Sequence, residues 1–116
     1  MIPFGNRTVT MLHKAEKGYE RHVLNGCSWR TSNEKALSID AVICTERTSC
    51  RIPPKYPQPF PGDLMILGKT EAEANNEIEL VRLMESLRKQ GFRTFRVQSC
   101  ADNTDVPMPH YAATGV

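Results

Sequence analysis

The sequence has little that would suit a membrane or an export pathway. No apolar run is longer than residues 64–67, Leu-Met-Ile-Leu, and four residues are far too few to cross a bilayer. The first six residues, Met-Ile-Pro-Phe-Gly-Asn, lack the basic start and the long apolar stretch of a signal peptide. We therefore expect no membrane partner, and we expect the chain to fold in a cytoplasm.

A large excess of one charge is also missing. Fifteen Lys and Arg residues face 13 Asp and Glu residues, which leaves a formal net charge of +2. A dedicated nucleic-acid-binding protein usually carries a denser basic face, so this balance disfavours that class of protein while leaving room for a local basic cluster. With 116 residues in total, the chain has the length of a single domain, residues 1–116.

Recognisable catalytic, disulfide and metal-binding patterns are absent as well. The sequence contains no C-x-x-C and no glycine-rich phosphate loop. A cytoplasmic chain keeps its thiols reduced, and the spacing of the three histidines and the cysteines matches no common zinc template. We expect no catalytic residue, no metal and no cofactor, and we expect four mostly buried thiols. The cysteines are Cys27, Cys44, Cys50 and Cys100.

The residues that are present predict strands in the first half of the chain. Residues 7–13 and 19–24 alternate between apolar and polar types, and the turn residues 16–18 between them predict a hairpin. Asn25-Gly26 tolerates positive φ, and we interpret it as a bulge inside a bent strand that continues through residues 27–30.

The next segment is more mixed. We predict a polar loop at residues 31–35, a strand at residues 38–45 and a turn at residues 46–49. Five prolines then fall within residues 53–61, which excludes both a helix and a central strand. That segment is expected to be an extended, polyproline-like loop.

The last part of the chain predicts one helix between strands. A short buried strand is expected at residues 64–67, and a helix over about residues 77–90. Asn76 and Glu79 fit a capping box at its start, and Gly91 fits its end. A strand over 92–99, a turn over 101–104 and a closing segment at 109–111 complete the order. The core face of the helix is predicted to consist of Leu80, Leu83, Met84 and Leu87.

This order of elements predicts a mainly β protein: a small, SH3-like barrel with one packed amphipathic helix, near residues 77–90, and long loops. A barrel of this size has little room for a buried active site. We therefore expect its function to lie in its rims and loops.

The sequence resembles a known family. These are small virion proteins of tailed, siphophage-like phages and prophages of Gram-positive-type hosts: head–tail connector, head-completion (stopper) or minor capsid proteins. The closing pattern, Ala-Asp-Asn followed by Pro-His-Tyr and Gly, is the most specific part of the likeness, although members often carry Trp where Tyr111 stands. The segments that carry the likeness are residues 7–12, 23–29, 51–53, 56–60, 62–68, 101–103, 109–111 and Gly115.

The resemblance implies a structural role without catalysis. Such proteins form a ring, sixfold or twelvefold, that lies in the virion neck below the portal or its adaptor. The ring helps to close the head after DNA packaging and presents a surface to a tail-terminator or tail-tube protein, with possible non-specific contact with the packaged DNA. The ring would assemble in the cytoplasm of the bacterial host. The candidate protein-interface residues are Tyr56, Pro57, Phe60, Arg47 and Arg51.

Three other hypotheses remain open. The chain could be a small adaptor module that binds one protein partner through the proline-rich loop 53–61. It could be a tail terminator or another minor tail or capsid protein. An enzyme that uses Cys100 or Cys44 with a histidine is the least favoured, because nothing local marks a nucleophile.

Overall fold

A computed structural model describes the backbone of residues 6–37, 42–105 and 107–116, and their side chains except those of residues 33–37 and 42–45. Six strands and one helix follow one another along the chain. They are β1 (Arg7–Ala15), β2 (Gly18–Leu37), β3 (Val42–Ile52), β4 (Leu64–Leu67), α1 (Glu77–Lys89), β5 (Thr94–Asn103) and β6 (His110–Gly115).

The strands close into a barrel in the order β1-β2-β3-β6-β5-β4, and β4 pairs back onto β1. Every neighbouring pair is antiparallel. The prediction of a small β-barrel with a single helix is therefore confirmed.

The bulge predicted at Asn25-Gly26 is also confirmed. Arg7 of β1 lies opposite Cys27 of β2, whereas Val9 lies opposite Leu24. Two steps along β1 thus correspond to three along β2, and the extra residue falls at this dipeptide, where Gly26 has a φ of 75°. The bulge bends β2 between its pairing with β1 and its pairing with β3.

Two predictions for the middle of the chain are wrong. Residues 31–35 are not a loop and residues 46–49 are not a turn, because both segments are paired strand within the β2–β3 hairpin. Polar residues in a ribbon that faces water resemble a loop in sequence, whereas the cross-strand hydrogen bonds that make them a strand come from a distant segment. Part of the strand predicted at 38–45 lies outside the described residues, and its remainder belongs to β3.

The turn predicted at residues 101–104 begins too early. Ala101, Asp102 and Asn103 belong to β5, and the chain turns at Thr104 and Asp105. The Asp102 carboxylate accepts hydrogen bonds from the backbone N (3.1 Å) and the hydroxyl (2.7 Å) of Thr104. This is an Asx turn. Its first residues are also the last residues of β5, so the sequence signal for the turn overlaps the end of the strand.

Helix α1 begins and ends as its capping residues predict. The Asn76 side chain accepts a hydrogen bond from Glu79 N at 2.9 Å. At the other end, Gly91 has a φ of 97°, and Phe92 N donates to Leu87 O at 3.0 Å, which is a glycine-terminated helix end. Leu80, Met84 and Leu87 are buried, and Leu83 packs beside them.

The apolar residues form two clusters. One fills the barrel and includes Phe95, Met11 and Ile52. The other lies between α1 and the outer faces of β1 and β4, where Leu12, Leu64 and Ile66 meet the helix. Residues of β1 and β4 therefore alternate between the barrel interior and the helix, so that both faces of these strands are buried.

Gly115 permits the barrel to close. It pairs with Thr48 of β3 and with Val97 of β5, beside an irregularity in the β5–β6 ladder. A Cβ atom at this position would overlap the carbonyl group of Arg96 and press on the Phe95 ring. Only glycine lets β6 approach β5 closely enough here.

We predict that Gly115→Ala destabilises the protein far more than Gly91→Ala. The added methyl group at position 115 meets backbone that must move, at a cost of about 3 kcal/mol or more. At Gly91 nothing lies within 4 Å of the added atom, so only backbone strain of about 1–2 kcal/mol remains. Urea unfolding of both variants measures the difference. Equal losses would show that Gly115 has no special role in closure.

Candidate functional site

The β2–β3 hairpin runs beyond the barrel as a two-stranded ribbon. The β1 ladder on β2 reaches only Cys27, and the β6 ladder on β3 begins only at Thr48. The six successive pairs from Ser32–Arg47 to Leu37–Val42 have only each other as strand partners among the described residues. We call residues 32–37 and 42–47 the arm.

The arm gives the molecule an elongated shape. Six residues at about 3.3 Å each make it about 20 Å long. The radius of gyration is 14.8 Å and the principal extents are 46 × 36 × 25 Å, whereas a compact domain of this length has a radius of gyration of about 13 Å. The arm therefore extends away from the body and can reach a second molecule.

A polar cleft of about 700 Å³ lies where the arm leaves the barrel and α1 ends. The hydroxyl oxygens of Thr31 and Thr48 are 3.2 Å apart, and the Arg88 guanidinium donates to the hydroxyl (2.9 Å) and the carbonyl (3.1 Å) of Thr94. The first contact links β2 to β3 at the arm base, and the Arg88 bonds join the end of α1 to β5. The cleft is lined by Thr31, Glu46, Thr48, Arg88, Gly91, Phe92, Arg93, Thr94 and Val116.

Asp63 fastens the proline-rich loop to the barrel. Its side chain is fully buried. One carboxylate oxygen accepts a hydrogen bond from Lys14 N at 3.0 Å, and the other accepts from Phe60 N at 2.9 Å and lies 2.6 Å from His13 Nδ1. A buried carboxylate is costly unless it is paired and hydrogen-bonded. These three partners supply that compensation and join the end of β1, the loop and the start of β4.

The loop also presents an aromatic surface. The Phe60 side chain is half-exposed, and its ring lies 4.8 Å from the ring of His13. Asp63 binds the His13 ring through Nδ1, and the ring centroid of His22 lies 6.0 Å from that of His13. The Phe60 side chain is therefore exposed to solvent, although Asp63 holds its backbone and His13 packs against its ring.

The other predicted interface residues lie in different places. The Tyr56 hydroxyl accepts a hydrogen bond from Asn25 N at 2.9 Å, so this ring holds the loop to its own barrel at the bulge. Pro57 is exposed in the loop. Arg51 is exposed in the barrel part of β3, between Ser28 and Ala112, whereas Arg47 is half-buried at the arm base. The five residues therefore divide between the loop and β3.

A second clasp fixes the start of α1. Glu77 accepts hydrogen bonds from the Tyr19 hydroxyl at 2.9 Å and from both terminal nitrogens of Arg96 at 2.9 and 3.1 Å. Arg96 also donates to Gly62 O at 2.9 Å. The Arg96 guanidinium, with help from Tyr19, lowers the pKa of Glu77. Burial and the bond to Glu77 raise the pKa of Tyr19.

Two of the described thiols, Cys50 and Cys100, have a raised pKa, whereas the hydrogen bond with Cys50 lowers the pKa of Cys27. The hydrogen bond between the Cys50 and Cys27 thiols, together with burial in the barrel core, holds the pKa of Cys50 well above its usual value. Burial also raises the pKa of Cys100. Buried thiols of this kind are poor nucleophiles.

Neither a metal-binding cluster nor a membrane-spanning helix is present among the described residues. No three His, Cys, Asp or Glu side chains among them are grouped as a metal ion would require. Within the same part of the chain, no helix is both long enough and apolar enough to cross a membrane.

Sequence reasoning missed the arm and the role of Asp63. The sequence predicts a loop, a strand and a turn in this region, because its residues are polar near the barrel and apolar only towards residues 36–43. In sequence, Pro61-Gly62-Asp63 is typical of a turn. One feature of the sequence indicates the role of Asp63: an acidic residue stands directly before the apolar strand 64–67. A carboxylate buried there is unfavourable unless it accepts hydrogen bonds.

Comparison with known proteins assigns the chain to a family whose function is unknown. The model of a family of unknown function, DUF6751, matches residues 4–116, and the chain belongs to that family. No curated protein matches the chain, and no solved structure matches it.

We predict that Asp63→Ala lowers the free energy of unfolding by about 3 kcal/mol, because it leaves the Lys14 and Phe60 N–H groups without an acceptor. Asp63→Asn keeps one acceptor oxygen and should lose less. Loop 53–61 should also become sensitive to proteolysis in the alanine variant. The exposed Asp105→Ala serves as the control, with a change within about 0.5 kcal/mol. An Asp63→Ala variant as stable as that control would contradict this role.

The Glu77 clasp predicts a specific pH dependence. Because Arg96 lowers the pKa of the folded carboxyl below its ordinary value of 4.5, the stability from this group is fully present above pH 4.5. It is lost as the pH falls through the lowered value. Glu77→Gln should cost less than about 1 kcal/mol at neutral pH, since the side chain is largely exposed.

Unfolding of wild type and Glu77→Gln across this pH range tests the prediction, with Glu85→Gln as the control on the same helix. The two curves should converge at low pH for Glu77→Gln only. A difference that stays constant with pH would contradict the clasp.

Proposed function

We propose that the chain, a member of a family of unknown function, is a structural subunit of a phage neck. It forms a ring that joins the portal or its adaptor to the tail and helps to close the head after DNA packaging. The observation that carries this proposal is the combination of a closed barrel with a projecting arm.

A ring requires heterologous contacts, in which one patch of a subunit meets a different patch of the next. Within the part of the chain that the structure describes, the arm has two different unpaired edges, residues 32–37 of β2 and residues 42–47 of β3. Each barrel strand has a strand neighbour on both sides. An arm with two unpaired edges suits a subunit that assembles with copies of itself.

The fastened loop supports the same proposal. A subunit that transmits contacts from the portal to the tail needs surfaces that are ordered before assembly, because ordering a loop at the interface reduces affinity. Asp63 holds the backbone of Phe60, and Tyr56 holds the far side of the loop. The resemblance of the sequence to head–tail connector and stopper proteins agrees with this arrangement.

A second candidate function is an adaptor that binds one protein partner through loop 53–61. The half-exposed Phe60, stacked on His13, favours it. A rigid, partly exposed aromatic side chain is a common interface anchor.

Purified particles test the proposed function. In phage particles from a host that carries the tagged gene, the chain should be present in a fixed number of copies per particle, as for a sixfold or twelvefold ring. Particles made without it should lose DNA after packaging. Recovery of the chain only from the particle-free lysate would contradict the proposal.

The adaptor alternative makes a different prediction. Phe60→Ala should then abolish a one-to-one complex with the partner, and native mass spectrometry should show no ring of the wild-type chain. Met108→Ala, which truncates another exposed apolar side chain, is the matched control. A ring that persists in Phe60→Ala would favour the structural subunit.

A further inference from the structure

We propose that the polar cleft between the arm base and the end of α1 binds the phosphate group of a small phosphate ester. Arg88 and Arg93 supply the positive charge, and threonine hydroxyl groups supply further hydrogen bonds. This inference does not rest on the ring of the proposed function, because the cleft is formed by a single copy of the chain.

The cleft lies at one mouth of the barrel. On β2, Thr31 lies two residues after Trp29, and on β3, Thr48 lies two residues before Cys50. Side chains two residues apart on a strand share a face. Cys50 lies in the barrel core and Trp29 packs against it, so the inward face changes here from apolar to hydroxyl-bearing. Ligand sites are common in barrel mouths, and a volume of about 700 Å³ is within their usual range.

The guanidinium group of Arg88 is already oriented at the cleft. Its Nε atom donates to the Thr94 hydroxyl at 2.9 Å, and Nη2 donates to the Thr94 carbonyl oxygen at 3.1 Å. The third nitrogen, Nη1, has no partner among the described residues. A guanidinium that is held along one edge keeps N–H groups for a ligand, and it loses little conformational freedom when that ligand binds.

Arg93 supplies a second positive charge. Its side chain is exposed and, within the described part of the chain, forms neither a hydrogen bond nor an ion pair. The acidic side chain of Glu46 also lines the cleft and is exposed and unpaired in the same sense. Arg88 and Arg93 together outweigh this one carboxylate, so the lining carries a net positive charge and attracts an anion.

The threonines add uncharged donors. The Thr94 hydroxyl accepts a hydrogen bond from Arg88 and keeps its own proton to donate. The Thr31 and Thr48 hydroxyls share one hydrogen bond, so the hydroxyl that accepts it also keeps a proton. At the end of α1, backbone N–H groups of residues 90–92 already bind the last carbonyl groups of the helix. A ligand rich in acceptor oxygens therefore finds donors on several sides.

This set of donors suits a phosphate group better than a carboxylate or a nucleic acid strand. A phosphate monoester has three acceptor oxygens and a charge of about −1.5 to −2 at neutral pH, so it can bind donors from α1, β5 and the arm base together. A planar carboxylate pairs best with one guanidinium fork. A nucleic acid strand is held along an extended basic groove, whereas this cleft is short and carries both signs of charge.

The cleft also has an apolar wall, which favours an ester over inorganic phosphate. Phe92 and Val116 line it, and Phe92 is itself packed against the apolar cluster under α1. The organic part of a phosphate ester can pack against these two side chains while its phosphate group binds the arginines.

Calorimetric titration with phenyl phosphate tests the site. The wild-type chain should bind one molecule per chain, and should bind it more tightly than benzoate or phenol, which carry the same ring with a carboxylate or without a charge. Amide NMR signals of Thr31, Thr48, Arg93 and Thr94 should shift during the titration, because these residues line the cleft.

Three substitutions separate the cleft from general charge. Arg93→Gln should weaken phenyl phosphate binding about tenfold or more, as expected for a lost hydrogen bond to a charged group. Glu46→Gln should strengthen binding, because it removes the repelling carboxylate. Arg82→Gln is the matched control at an exposed position on α1 outside the cleft, and it should change the affinity by less than about twofold, since distant charges are screened. All three variants should unfold at the wild-type temperature.

Each other outcome overturns the inference. Absence of saturable phenyl phosphate binding overturns the site itself. Equal losses in Arg93→Gln and Arg82→Gln show that net charge, and not the cleft, attracts the anion. Benzoate bound as tightly as phenyl phosphate contradicts a phosphate site. A short single-stranded oligonucleotide that displaces phenyl phosphate and binds far more tightly identifies nucleic acid as the ligand. None of these outcomes bears on the proposed ring, which is measured on particles.

Discussion

Closure of the sheet is the constraint on which the rest of the structure depends. Six strands pair in a circle, and each barrel strand has a neighbour on both sides. Gly115 makes the close approach of β6 to β5 possible because it has no side chain. The arm extends past this circle, and its two strands pair only with each other among the described residues.

Two polar side-chain clusters, the Asp63 and Glu77 clasps, fix segments outside the sheet. Asp63 joins β1, the proline-rich loop and β4 through one buried carboxylate, and Glu77 joins α1 to Tyr19 and Arg96. Both clasps connect segments that are far apart in sequence and contribute no apolar area. The clasps fix the positions of these segments, whereas the prolines of loop 53–61 only keep that loop extended. In the proposed ring, such a subunit changes little on assembly, because these segments are already ordered in the free chain.

The fold could be predicted from sequence where the signal was local. The β1–β2 hairpin, the bulge at Asn25-Gly26 and the capped helix each depend on residues close together in the chain. The arm could not be predicted in the same way, because its polar residues become strand only through pairing with a segment about ten residues away. Asp63 also lay beyond sequence reasoning, since the partners of a buried carboxylate are set by tertiary contacts. The resemblance to phage connector proteins suggested a ring without indicating which surface builds it.

Hydrogen exchange measured on the free chain and on the assembled ring tests the central claim most directly. Barrel amides should be protected in both states, because closure satisfies them within one molecule. Amides of residues 32–37 and 42–47 that point outward should exchange quickly in the free chain and become protected in the ring. Arm amides that are equally protected in both states, or equally exposed in both, would contradict the account.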